Sequence, residues 1–228
     1  MFKIATNLGK LPRDLQKFMA RSRFAVAVGI TWTGQDIKKE LQAEMQAVFD
    51  RPTRFTLNSL GIKPATKRDL NGKVFFRDFA PKGVAAGRYL ESQIEGGERR
   101  AKRSELHLRK HGRLKRDEFL VPGKGARLNQ YGNIPRAQVT KALSDVGVQW
   151  DPGQNTKDKK KRKYFWLPKA GRRLAGIYFR QGRKTKSFMV AVRQPAYRRR
   201  LDFDGVSRKE ADRKLTPNIK KAIKRYAK

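Results

Sequence analysis

DIKKELQAEMQAVFDRPTRFTLNSLGIK, residues Asp36 to Lys63, contains the change of period that sets the fold class. Up to Val48 the apolar side chains Ile37, Leu41, Met45 and Val48 return every three to four residues, with Asp36, Glu40 and Glu44 on a neighbouring stripe. That spacing draws one face of an α-helix. Asp50, Arg51 and Pro52 then end it, because a proline disfavours helical backbone at the residue before it. Beyond the proline, Phe55 to Lys63 and Lys73 to Phe79 are β-rich and flank a polar turn containing Asn71-Gly72, the pattern of a hairpin.

Working back, the helical pattern reaches Pro12, which suits a first helical turn. Thr33-Gly34 leaves two readings open: a fresh helix capped at Thr33, or one continuous helix of about 38 residues and roughly 57 Å. The continuous form is longer than a compact small domain normally uses, so part of it would project or pack on a neighbouring subunit.

Working forward, Gly83 to Ile94 and Glu98 to Lys110 are expected as short helices stopped at glycines, and Val121 to Pro135 as a glycine-punctuated loop. Pro135 to Val146 forms another helix. GQNTKDKKKRK, residues 153–163, has almost nothing apolar to bury and is expected as a flexible basic linker or arm. Three strands follow at Tyr164 to Leu167, Gly176 to Gln181 and Lys186 to Arg193, with the hairpin turn at Gln181 to Lys184. In the last, Phe188, Val190 and Val192 alternate with Met189, Ala191 and Arg193, so one face belongs to the core. Ser207 and Glu210 are spaced as a capping box before the stripe Leu215, Ile219, Ala222 and Tyr226, with Pro217 either kinking that helix or starting a new one. The predicted architecture is α+β in a single domain, 1–228. It has a long N-terminal helix (12–50), a small antiparallel β-sheet body and a basic C-terminal helical segment (206–228).

Charge bounds the partners. The chain has 228 residues with 56 Lys and Arg against 20 Asp and Glu, a net charge of +36. Solubility asks for about 2 to 8 charges on a small domain, so an anionic partner is implied. Nucleic acid is the default; an acidic protein surface and an anionic membrane compete with it. Residues 1–80 hold 15 basic and 7 acidic side chains, and the rest of the chain 41 and 13, which assigns the surplus to the later part. A hydrophobic share of 38% with 13 Phe, 6 Tyr and 3 Trp is too rich for a disordered tail. No run approaches the roughly 18 to 20 apolar residues of a membrane span, and MFKIATNLGK lacks the apolar core of a secretory leader. With no cysteine, disulfides, zinc ribbons and thiol catalysis are excluded together.

The groups that carry chemistry all have simpler explanations. His107 and His111 share an i, i+4 face without the intervening glutamate of a zinc helix, and they sit among Arg109, Lys110 and Arg113. Asp202 and Asp204 lie beside Arg198 to Arg200, placed either to pair with them or to cap the last helix. Asp36, Glu40 and Glu44 form a charged helix face, and Gly123-Lys124-Gly125 lacks the Lys-Ser/Thr ending of a phosphate loop. Catalytic residues, metal ligands and cofactors are therefore not assigned. The candidate polyanion or partner contacts are the clusters Arg99, Arg100 and Arg103; Lys159, Lys160 and Lys161; Arg198, Arg199 and Arg200; and Lys220, Lys221 and Arg225. Aromatics flank some of them (Tyr164, Phe165, Trp166, Tyr197, Tyr226), although alternation marks most of these as strand core.

FDRPTRFTLNSL (Phe49 to Leu60) followed by KPATK (Lys63 to Lys67), GGERRAKRSE (Gly96 to Glu105), VPGKGARLNQYGNIPRAQV (Val121 to Val139) and RLDFDGVS (Arg200 to Ser207) resemble, in that order, segments of tailed-bacteriophage virion proteins. With the stretches between them they span about two thirds of the chain, and the layout is similar to the minor tail protein Z type, the tail completion proteins of long-tailed phages. The resemblance implies a non-enzymatic virion component, a ring of subunits at the head-proximal end of the tail. Its partners would be other copies of itself, neighbouring tail and head-tail connector proteins, and DNA in the neck lumen as a further candidate; no membrane partner is implied. It carries no catalytic motif and transfers no site residue. A basic nucleic-acid-binding protein of ribosomal or packaging type is the alternative.

Overall fold

The structure, a computed structural model, describes residues 13–80, 83–194 and 196–227, so Pro12, expected in the first helical turn, lies outside the described residues. It is α+β, with a long N-terminal helix, small antiparallel sheets and a C-terminal helix. The chain expected as one domain falls into two compact units. One combines the chain up to Leu90 with Arg200 onward, and the other is Glu91–Arg199.

In the first unit, α1 (Arg13–Val48) is a single 36-residue helix, about 54 Å at 1.5 Å per residue. Thr33, the alternative cap, instead donates its hydroxyl to the Gly29 carbonyl at 2.9 Å, one turn back. Continuity is secured by packing along α6 (Phe203–Tyr226). Ala25 and Ala222 are fully buried, and a Cβ on Gly29 would stand 2.7 Å from the Ile219 Cα. Small residues four apart on α1 thus let the two backbones approach. Asn218 then bridges, donating to Thr33 Oγ1 at 3.2 Å and to Asp36 Oδ2 at 2.8 Å. On its other side α1 buries Leu41 and Met45 near β1 (Leu60–Lys63), which pairs antiparallel with β2 (Lys73–Phe76).

Two sequence expectations fail locally in this unit. Phe55 to Leu57 is not strand but part of a helical turn, α2 (Arg54–Leu57), because the Thr53 hydroxyl accepts the Thr56 N–H at 3.1 Å and caps it. The last helix starts at Phe203, capped by the Asp202 carboxylate on the Gly205 N–H, while Ser207 donates inside the helix to the Phe203 carbonyl. Of the two readings open at Pro217, the helix running on through it is the one found.

The second unit is built on a four-stranded antiparallel sheet in the order β4 (Glu118–Pro122), β7 (Lys184–Arg193), β6 (Gly176–Gln181), β5 (Tyr164–Leu167). Val121 and Pro122, expected in a loop, are the end of β4. Its continuation hugs β7 as well, Gly123 and Gly125 donating to the carbonyls of Phe188 and Ser187 at 2.8 Å each. A Cβ on Gly123 would stand 2.5 Å from the Ser187 oxygen, so these glycines serve close strand approach. Gln181 pairs with Lys184 across Gly182, whose φ of +60° suits a two-residue hairpin turn. A bulge between Ile177 and Tyr178 leaves Phe188 without an opposite residue. Such a bulge breaks strict alternation, and Phe188 and Met189 are both buried. They join Leu108, Leu120, Tyr164 and Ile177 under α5 (Arg136–Val146) and α4 (Arg103–Lys110). The helix expected from Glu98 starts at Arg103, because Gly97–Glu98 forms β3 and pairs with β8 (Ala196–Tyr197). The helix expected from Gly83 is α3 (Ala86–Ile94).

The close α1 to α6 contact gives a direct expectation. Gly29→Val places a branched side chain against backbone and should cost about 2 kcal/mol or more, read as a lower urea midpoint with helical content lost in parallel. Gly83→Ala, at a position with open space but a φ of +100°, should cost less.

Candidate functional site

The basic clusters do not share one fate. Arg99 turns inward: its guanidinium grips both Glu105 oxygens, at 2.9 and 2.5 Å, and lies 4.7 Å over the Phe119 ring. Its side chain is 14% exposed and that of Glu105 is 0%, so Arg99, a contact candidate by sequence, is an internal partner. Arg109 covers the same ring at 4.8 Å and donates to the carbonyls of Lys115 and Glu118. Arg100 pairs with Glu91 at 3.0 Å while staying 73% exposed, and Arg103 is exposed at the start of α4.

Lys159, Lys160 and Lys161 form one 3-10 turn in the 153–163 segment, with the Asp158 carboxylate accepting the Lys160 N–H at 2.8 Å. All three side chains are exposed. The segment is tied to α5 at Thr156, whose hydroxyl donates to Asp145 at 2.6 Å, and at Lys163, whose N–H donates to the same carboxylate at 2.9 Å. Arg198 to Arg200 are exposed after β8, and Lys220, Lys221 and Arg225 are exposed on α6. In α6 the Lys221 ammonium stands 5.7 Å over Trp32 and the Arg225 guanidinium 5.3 Å over Tyr226.

The acids behave oppositely. Glu105 accepts the N–H groups of Lys102 at 2.7 Å and Leu120 at 2.9 Å besides the Arg99 fork, so one carboxylate joins the 99–102 segment, α4 and β4. Burial works against its charge, but Arg99 and the two N–H groups outweigh burial and hold it below the usual carboxylate range. Asp145 is likewise opposed by burial and likewise depressed on balance, by Lys141 at 2.7 Å, by Thr156, and by the N–H groups of Lys163 and Tyr164. Neither acid was singled out from sequence. For Glu105 a signal existed: an acid at the third position of a helix reaches back to the cap N–H. For Asp145 the only local signal was Lys141 four residues before it on the same helix face, since its other donors come from residues 11 to 19 positions away.

Other acids are engaged too. Asp36, Asp50, Asp69, Glu91, Glu118, Asp151, Asp158, Asp202 and Glu210 each accept from their own chain, which with the buried pair makes at least eleven of the 20 among the described residues. These acids are thus committed to contacts within the chain, although Asp50, Asp69 and Glu91 keep much of their side chains exposed.

The residues weighed for catalysis do not assemble. Among the described residues there is no group of three His, Cys, Asp or Glu placed to hold a metal. His107 stacks on Trp150 at 5.4 Å, and Asp202 is a helix cap, one of the two roles expected of it. Among the described residues no helix is long and apolar enough to cross a membrane. Of the aromatics beside basic clusters, Tyr164 is core, Trp166 packs partly buried against it, and Phe165 lies half-buried 6.0 Å beneath Arg180. The chain matches no family model, no curated protein and no solved structure.

Glu105→Gln leaves Arg99 facing a neutral partner in a mostly buried site and should cost about 3 kcal/mol at neutral pH, as breaking a buried pair does. Both carboxyls have folded values below their unfolded ones. Their contribution is complete above the unfolded value near 4 and disappears as pH falls through the depressed folded values. Stability should drop in acid, and a Glu105→Gln, Asp145→Asn double variant should show a flatter acid limb in urea melts from pH 6 to pH 2.

Proposed function

We propose that the chain is a structural virion protein, a tail completion or head-to-tail joining component that assembles as a ring at the head-proximal end of a phage tail. The observation that carries this reading is the separation of charge: carboxylates serve as internal partners and helix caps, while Lys and Arg stand outward in several separate clusters. A surface that positive on more than one element suits a part held between partners. The order of the segments that resemble phage tail proteins supports the same reading.

Apolar exposure points the same way. Phe18 and Met19 on α1 are 53% and 39% exposed, Phe79 is 77% exposed, and Trp150 is 72% exposed with Lys110 5.3 Å over its ring. Large aromatic and aliphatic side chains left open beside cations are the composition of protein contacts, where aromatic anchors supply most of the binding energy. In a closed ring each copy meets the next through two different patches, so such residues need not lie on one face.

Native mass measurement and imaging of the purified chain test this. A closed ring, and density for the chain where tail meets head in intact particles, are the expected results. A monomer that binds duplex DNA or RNA tightly, with affinity collapsing between 50 and 200 mM salt, would favour the nucleic-acid-binding alternative. The triple variant Lys159→Glu, Lys160→Glu, Lys161→Glu should leave the urea midpoint within about 0.5 kcal/mol of wild type, since all three side chains are exposed. It should lower incorporation into particles at least tenfold.

A further inference from the structure

A groove of about 460 Å³ runs between α1 and the segment Ala65–Lys67. Its floor is Ala27 and Val28, and its walls include Phe24 and Trp32. Tyr226 of α6 packs against two of the lining rings, 5.4 Å from Phe24 and 6.3 Å from Trp32. The loop wall is pinned, because Thr31 on α1 accepts the Ala65 N–H at 3.2 Å. The groove is therefore built from two fixed elements and lined by apolar surface.

Its rim is cationic. Lys67 stands 5.1 Å over Phe24, Lys221 5.7 Å over Trp32 and Arg225 5.3 Å over Tyr226. None of these three is in an ion pair among the described residues, and no acid lines the groove. Two acids of the same unit are engaged elsewhere: Asp36 accepts from Asn218, and Asp69 accepts from Asn71 and pairs with Lys63 at 3.8 Å.

We propose that this groove binds an acidic segment of a different protein, with one large apolar side chain seated over Ala27 and Val28 and carboxylates meeting Lys67 and Lys221. Charge decides against a second copy, because the chain carries 56 Lys and Arg against 20 Asp and Glu, and among the described residues at least eleven of those acids already accept from their own chain. Ring geometry decides against stacked nucleobases. Ammonium groups already cover the faces of Phe24 and Trp32, and the three rings meet edge to face or tilted, so a flat base finds no open platform. A narrow apolar floor with cations above it matches an apolar side chain flanked by Asp or Glu. This chemistry belongs to the groove and holds whether or not the chain joins a tail.

The test uses the full chain labelled with 5-fluorotryptophan, which gives three fluorine signals from Trp32, Trp150 and Trp166, assigned by single Trp→Phe changes. Three probes are titrated: a peptide alternating Glu with Leu, an all-Glu peptide of equal charge, and an oligothymidylate of equal charge. The Glu/Leu peptide should move the Trp32 signal and bind at least tenfold more tightly than the all-Glu peptide. Lys67→Glu and Phe24→Ser should each weaken it at least tenfold with unchanged circular dichroism. Lys67 lies on an exposed loop, so its variant keeps the test valid if Phe24→Ser unfolds. An equal response to oligothymidylate overturns the proposal in favour of nucleic acid. A shift that grows with protein concentration alone and is lost in Lys67→Glu overturns it in favour of a second copy. An unmoved Trp32 signal with every probe overturns it outright.

Discussion

The charge of Glu105 is the constraint on which the unit Glu91–Arg199 depends. With no exposed side-chain surface it must be fully answered, and it is: a two-pronged guanidinium and two backbone N–H groups leave little of its accepting capacity idle. Those donors come from two segments, 99–102 and β4, which the carboxylate joins to α4. β3 and β8 share only two residue pairs, and β4 is an edge strand. Asp145 does the same for the 153–163 segment, fixing its two ends to α5 through Thr156 and Lys163. In a chain where like charges crowd, a buried anion is an efficient organiser, because the surrounding positive potential favours its ionised form. Breaking such a site is costly even where its net contribution to folding is modest.

The other unit is organised by shape. Ala25, Gly29 and Thr33 clear a path on α1 for α6, and only after that approach does Asn218 come within reach of Thr33 and Asp36. The rings of Phe24, Trp32 and Tyr226 then fill the end of the pair. The same contact explains why α1 stays unbroken at Thr33-Gly34, where local sequence permits an end. Tertiary packing overrides a local capping preference there: Thr33 accepts from Asn218 of α6, and Gly34 faces Ile62 and Val74 of the β1–β2 hairpin.

Legibility followed the range of the interaction. Periodic elements were readable: the 3.6-residue stripe of Ile37, Leu41, Met45 and Val48, the strands at 164–167 and 176–181, and the turn at Gly182 all stand where local pattern puts them. What failed locally was decided by single hydrogen bonds or by partners far along the chain. Thr53 converts three residues of an expected strand into a helical turn through one hydroxyl. Val121 and Pro122 are strand because β7, nearly 70 residues on, offers them an edge. In the candidate site the limits were similar. Lysines without an acid nearby are exposed, as composition implies, whereas Arg99 looked identical in sequence and was claimed by an acid six residues on. Clusters of like charge are visible in a sequence; which members the fold withdraws is not.

That withdrawal changes what the surplus of 36 charges means. Each acid taken inward neutralises at most one cation while removing an anion from the surface on which another copy would draw. Copies of this chain therefore repel at their exposed faces, although at physiological salt the repulsion is screened beyond a distance of about 8 Å. In a ring, attraction between neighbours must come from apolar contacts of the kind offered by Phe18, Met19 and Trp150, which act at contact range. The outward cations then oppose closure until an anionic partner lies against them. Self-association and partner binding are in that case linked: an acidic protein or nucleic acid that binds the assembled form stabilises it by mass action. For the joining role proposed above, subunits built this way would assemble where the partner is and disperse elsewhere. The surface charge that opposes assembly would thereby become, in the proposed ring, a condition on its place.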